Sequence, residues 1–203
     1  MNRRFLIKSA GFTAMGLSLS AVAIGADDSK PGKLDAAEFK KINTEAGAKV
    51  DALKPDSSKL SDADKNLAGE IALGGMMQLK AAELALETSK SPDVKLIAEG
   101  EAGEQRGLAA KLKEFAAAKD IQLPGDLDEK GQKLISEIKD AGDKFDRAYL
   151  EKSGVAGHEE LKKTMTKVKA EAKDPLLKAL AETALPLIEV HLTVAKDEVA
   201  TLG

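Results

Sequence analysis

Leu177, Leu180, Ala184, Leu187, His191 and Val194 recur at alternating three- and four-residue steps, and this spacing constrains the fold more than any other feature of the chain. It lays the six residues along one face of an α-helix, and a helix with an apolar stripe must bury it against other elements. Asp174–Pro175 opens the segment. The aspartate caps the free amides of the first turn, and proline sits where its missing N–H costs nothing. Ser91–Pro92–Asp93 repeats the device and predicts a helix from Pro92 to about Lys119, with the stripe Val94, Ile97, Glu101, Glu104, Leu108, Leu112 and Phe115.

Ser61 caps an earlier helix that runs to about Ser89. Two registers fit it: Ala72, Met76, Leu79, Glu83 and Leu86 facing inward, or Leu67, Ile71, Gly74 and Gln78. Leu123–Pro124–Gly125–Asp126 breaks the chain. A short helix from Asp128 to about Lys139 leads to another long one, from about Asp143 to Ala172, with the stripe Phe145, Ala148, Val155, His158, Met165 and Val168. The last helix ends near Thr201. No run alternates in the manner of a strand, and aromatics are only 3%, so small residues and Leu, Ile, Val and Met must fill the interior. The fold class expected is all-α, an up-down four-helix bundle over residues 61–203 with a short extra helix before the third long one. Residues 27–60, polar and containing Pro31, Gly32 and Pro55, read as a linker or N-terminal arm, with a short helix from Leu34 to Leu53 carrying Leu34, Ala37, Ile42 and Val50 as its apolar members.

Residues 1–26 read as a removable export signal. Arg3, Arg4 and Lys8 precede a moderately apolar stretch from Ser9 to Ile24, too short for a good membrane span, and Ala21–Val22–Ala23 or the chain near Gly25–Ala26 offers a cleavage point. Arg3–Arg4–Phe5–Leu6 resembles a twin-arginine signal; a general secretory signal is the alternative. The mature chain is expected in the periplasm or otherwise outside the cytoplasm, with no integral membrane span. Removing three cations and no acid moves its formal charge from −3 to −6. That gives no electrostatic case for nucleic acid, which needs a basic stripe. The absence of cysteine excludes disulfides, thiol catalysis and iron–sulfur ligation. There is no phosphate-binding glycine loop and no nucleophile elbow.

Four polar residues interrupt the stripes. The two histidines of the chain, His158 and His191, both fall on predicted core faces, and so do Glu101 and Glu104, three residues apart. A buried unpaired carboxylate costs several kcal/mol or changes its protonation state, so these groups need partners. Three readings fit. They form a core hydrogen-bond network; they bind a divalent metal (Zn, Mn or Fe), since imidazole and carboxylate from facing helices are ligands for such ions; or the register is off and they are solvated. Gly100, Gly103 and Gly107 weaken the second long helix, and Gly154 and Gly157 do the same just before His158, where irregularity allows either close packing or a functional break.

Gly74-Gly75-Met76, Leu84-Ala85-Leu86, Pro92-Asp93-Val94-Lys95, Leu123-Pro124, Phe145-Asp146-Arg147-Ala148-Tyr149, Gly157-His158 and Leu185-Pro186 with His191-Leu192 together resemble an exported bacterial family, domain of unknown function 4142. The resemblance covers about Asp64 to Leu202. It implies a ferritin-like four-helix fold and an extracytoplasmic location, and it brings no established function. Where that family usually has Asp-His in the second helix this chain has Glu104–Gln105, and where it has carboxylates in the first helix this chain has Gln78 and Lys80. The Glu-x-x-His pattern of di-iron bundles is absent. No catalytic motif points to an enzyme. The expected role is a non-enzymatic exported bundle that binds an envelope protein or small ligand or serves the envelope under stress, with a ferritin-like metal-binding protein using the core His and Glu residues as the alternative.

Overall fold

The computed structural model describes residues 29–202, and the expected export signal lies outside them. The described chain is helical throughout, without strands. A one-turn 3-10 helix at Pro31–Lys33 precedes α1 (Ala36–Ala52), α2 (Asp62–Thr88), α3 (Pro92–Lys119), α4 (Glu129–Lys139), α5 (Phe145–Tyr149), α6 (His158–Glu171) and α7 (Pro175–Thr201). A π-helical stretch, Leu150–Gly157, joins α5 to α6 without a break in the rod.

The helix starts follow from their capping chemistry. Ser61 accepts from the amide of Asp64, Ser91 from Val94, Asp128 from Gly131, and Asp174 from both Leu176 and Leu177. Each satisfies amides that the first turn leaves without partners. Three-residue connections at 89–91 and 172–174 make α2–α3 and α6–α7 antiparallel hairpins, which pack together through α2 with α6 and α3 with α7. On α2 the register through Leu67, Ile71 and Gln78 faces inward, while Glu83 turns to Arg106 at 3.0 Å.

Within the described part of the expected arm, residues 29–60, a helix packs on the bundle. Helix α1, capped by Asp35, lies along α3 and α7 and buries Ala36, Phe39 and Val50. Of the apolar members expected for it, Ala37 is exposed and Ile42 half-buried. Phe39 does the anchoring, because its ring fills a notch over Gly100 where a Cβ would lie 2.8 Å away. The preceding turn is pinned by the Gly32 amide donating to Glu198 (2.9 Å) and the Lys30 amide to Asp93 (2.8 Å). Gly32 has φ +54° and rests on the Val194 carbonyl, a conformation and a closeness that favour glycine. No helix among the described residues is long and apolar enough to cross a membrane.

Candidate metal centre

On each long rod of the bundle, apolar packing changes partners at a polar residue. Leu67, Ala68 and Ile71 of α2 belong to one apolar cluster and Ala81, Ala82 and Ala85 to a second, with Gln78 between them. On α3 the change from Val94, Ile97 and Ala98 to Leu108, Leu112 and Phe115 falls at Glu101, Glu104 and Gln105. Ser153 and His158 separate Leu150 from Leu161, and on α7 His191 separates Ile188 from Val194. A polar layer therefore crosses the bundle at one level.

The four residues singled out by sequence converge in that layer. Glu101, Glu104, His158 and His191 each present one ligand atom, and the four atoms lie within 4.8 Å of one another. Glu101 is 1% exposed, His158 2% and His191 1%, and the Glu104 side chain is 3% exposed, so the solvated reading fails. Glu101 Oε2 lies 2.6 Å from His158 Nε2 and 3.0 Å from His191 Nδ1, and Glu104 Oε2 lies 3.1 Å from His191 Nδ1. The His158 contact is short but lacks hydrogen-bond geometry, and both Glu104 oxygens have no hydrogen-bond donor. His191 Nδ1 hydrogen-bonds to Glu101 at 3.0 Å, so Glu104 and His158 Nε2 are the groups left facing the cluster without a hydrogen bond.

Neighbouring groups hold this set in place. Gln105 Nε2 donates to Glu101 Oε1 at 3.0 Å. His191 Nε2 lies 2.9 Å from Asn43 Oδ1, and Asn43 Nδ2 in turn donates to the Phe39 carbonyl at 2.9 Å. The Phe39 ring leans on His191, with centroids 5.4 Å apart, and the two imidazoles meet edge-on at 5.5 Å. His158 Nδ1 lies 3.2 Å from the Ser153 carbonyl and 3.1 Å from Gln78 Nε2. Asn43, Gln78, Gln105 and Ser153 were not marked as supports by sequence pattern. Gln78 carried a signal as an uncharged polar residue on one of two registers, and Gln105 as a departure from the Asp-His usual in the resembling family.

Burial alone would raise the Glu101 carboxyl, but the facing imidazoles, His158 foremost, hold it well below the usual carboxylate range. Burial alone would push His191 down, yet Glu101 and Glu104 lift it to about 10. Burial pushes His158 down most strongly, but the charge and hydrogen bonding of Glu101, with the charge of Glu104, together leave it raised. Tyr149, fully buried and within the field of Glu101, is pushed well above its ordinary value by desolvation and that charge.

A family model for a domain of unknown function, DUF4142, matches residues 50–197. The chain belongs to the DUF4142 family. All four converging residues lie inside the matched span, whereas Asn43 and Phe39 of α1 precede it. DUF4142 membership carries no activity with it. No curated protein and no solved structure matches the chain. Cavities adjoin the layer without opening onto all four residues, and one of about 190 Å³ reaches Phe39 and Asn43 but none of the four. An apolar one of about 330 Å³ between α2 and α3 reaches Gln105 but none of the four, and a small one of about 20 Å³ beneath α1 reaches only Glu104.

Proposed function

We propose that this DUF4142 protein binds one divalent transition-metal ion through Glu101, Glu104, His158 and His191. The observation that carries the reading is the convergence of two imidazoles and two carboxylates, buried together, with Glu104 left without a hydrogen bond. Two carboxylates cancel the charge of one M²⁺, so loading needs no further counter-charge. Zinc and comparable ions bind N and O ligands at about 2.0–2.2 Å, which sets tetrahedral ligand atoms roughly 3.3–3.5 Å apart. Loading therefore requires Glu101 Oε2 and His158 Nε2, 2.6 Å apart, to separate and the wider pairs, within 4.8 Å, to close in. A mixed nitrogen and oxygen set without sulfur suits Zn²⁺, Fe²⁺ or Mn²⁺, with Zn²⁺ tightest in the usual affinity order. The Nε2–H of His191 toward Asn43 provides the outer partner that a metal-bound histidine ordinarily has.

The role is binding and not turnover. Four protein ligands close a tetrahedral site, whereas catalytic zinc keeps a position open. The void beside Glu104 is about 20 Å³, room for roughly one water and for no organic substrate. We further infer that the chain works outside the cytoplasm, on the strength of its basic and apolar first residues; replacing Arg3 and Arg4 with lysine separates twin-arginine from general export.

Calorimetric titration of the metal-free mature chain tests the metal reading. One Zn²⁺ per chain is expected, with a rise in melting temperature, and both are lost in His158→Ala and His191→Ala. Sub-stoichiometric uptake with no thermal shift on adding Zn²⁺, Mn²⁺ or Fe²⁺ overturns it.

A further inference from the structure

We propose that the π-helical stretch Leu150–Gly157, together with Gln78, is a positioning device that fixes the tautomer of His158 and turns its Nε2 lone pair toward the ion; this rests on the metal reading above. The hydrogen bond of the His158 side chain is shifted by one residue from the α-helical pattern. Side chains that bond back to the main chain within their own α-helix do so at three or four residues: Asn43 to Phe39, Thr44 to Lys40, Thr166 to Lys162, Thr193 to Glu189 and Thr201 to Glu198. Gln132 reaches five residues back only by passing out of α4 to the loop carbonyl of Leu127. His158 instead reaches the carbonyl of Ser153, five residues back. In an α-helix a residue five positions on is turned roughly 140° away about the axis. The wider π turn narrows that offset, and π stretches of this kind recur at functional sites.

Gln78 completes the device from the facing helix. Its Oε1 accepts from the Ser153 hydroxyl at 2.6 Å, which orients the amide. Its Nε2 then donates to the Ser153 carbonyl at 3.2 Å. That carbonyl has two lone pairs: one takes Gln78, and the other takes Nδ1–H of His158. The 3.1 Å approach of Gln78 Nε2 to His158 Nδ1 is the contact between two donors that share one acceptor. With Nδ1 holding the proton, the free lone pair of the neutral ring is on Nε2, the atom that faces Glu101. The glycines expected to loosen this rod have a specific use here. A Cβ on Gly157 would lie 2.8 Å from Gln78 Oε1, and one on Gly154 would lie 2.8 Å from the Ala195 methyl group. His191 is arranged the opposite way, with Nδ1 toward the carboxylates and Nε2–H toward Asn43.

The test uses the full mature chain loaded with Zn²⁺ and long-range ¹H–¹⁵N spectra of its two imidazoles. The expected signature is His158 protonated on Nδ1 and coordinated through Nε2, and His191 protonated on Nε2 and coordinated through Nδ1. Gln78→Met should lower Zn²⁺ affinity about 10- to 100-fold, the usual effect of losing an outer-shell partner. Ser153→Ala, which keeps the carbonyl and releases only the Gln78 amide, should lower it less and serves if Gln78→Met fails to fold. His158 coordinated through Nδ1, or Zn²⁺ affinity unchanged within twofold in the folded variants, overturns this proposal alone. No Zn²⁺ uptake by the wild-type chain overturns the metal reading and this proposal together.

Discussion

Glu101→Gln is the substitution with the most to say about the polar layer. It keeps the size of the side chain and removes the charge that lies 2.6 Å from one imidazole and 3.0 Å from the other. Removing one partner of a buried ion pair costs about 3–5 kcal/mol, because the remaining charge is left uncompensated. In a chain of this size each kcal/mol moves the melting temperature about 2–4 °C, so a fall of roughly 6–20 °C is expected for the metal-free protein. The loss must also depend on pH. Glu101 is held below its ordinary 4.5, so its contribution is present above that value and disappears as pH falls through the lowered one. His191 is lifted from 6.5 to about 10, so its contribution is full below 6.5 and disappears as pH rises through about 10. The wild-type advantage is therefore widest between 4.5 and 6.5 and shrinks toward 10, by up to about 1.4 kcal/mol for each pH unit per imidazole that loses its proton. Circular-dichroism melts of both chains in chelator, from about pH 5 to pH 9, measure this difference directly. A gap that stays constant across the range, or a variant as stable as the wild type, refutes the reasoning.

Two further outcomes probe the contribution of α1. Asn43→Ala removes the acceptor of His191 Nε2–H and should lower Zn²⁺ affinity by about tenfold or more in calorimetry, with little change in helix content. Gly32→Ala forces a side chain into a φ of +54° against the Val194 carbonyl, at a cost of about 1–3 kcal/mol. Faster amide hydrogen exchange in the Pro31–Lys33 turn and α1, with α2 and α3 still protected, is the expected result.

What was legible in the sequence is what local chemistry writes there. Ser91–Pro92 and Asp174–Pro175 mark helix starts that depend on nothing distant, and the expected spans of α3, α4 and α7 agree with those observed to within a residue or so. The stripes of α3 and α7 were legible too, because large aliphatic residues alternate cleanly with charged ones. On α2, Ala81, Ala82 and Ala85 fill the interior, and alanine marks an inner face no better than an outer one. Two registers therefore fitted until α6 fixed one of them. The π stretch escaped for a different reason. Its register is set by contacts across the bundle, Ser153 to Gln78 and Gly154 to Ala195, so Val155, inward by α-helical spacing, is only half-buried while Ser153 and Gly154 go inside. Phe39 and Asn43 were missed because a single aromatic on a polar helix gives no stripe; its partner is the notch at Gly100, far along the chain.

Convergence alone does not separate a metal centre from a layer that satisfies itself, and Glu104 is the residue that does. Glu101 is engaged on every side, by His158, His191 and Gln105. Glu104 stands 3.1 Å from His191, but the Nδ1–H of that ring is directed to Glu101, and neither Glu104 oxygen receives a hydrogen bond. A self-sufficient network has little use for a second buried carboxylate of this kind, whereas a divalent ion needs it both as a ligand and as the second negative charge. Glu104→Met, similar in volume and apolar, therefore separates the two cases. If the layer holds an ion, the metal-free variant should stay within about 1 kcal/mol of the wild type, since the desolvation cost of the unpaired oxygens offsets the lost attraction to His191. Its Zn²⁺ affinity should fall at least 100-fold. If the layer is only a brace, Glu104→Met should instead destabilise the metal-free chain about as much as Glu101→Gln, and Zn²⁺ should raise the melting temperature of neither the wild type nor the variant.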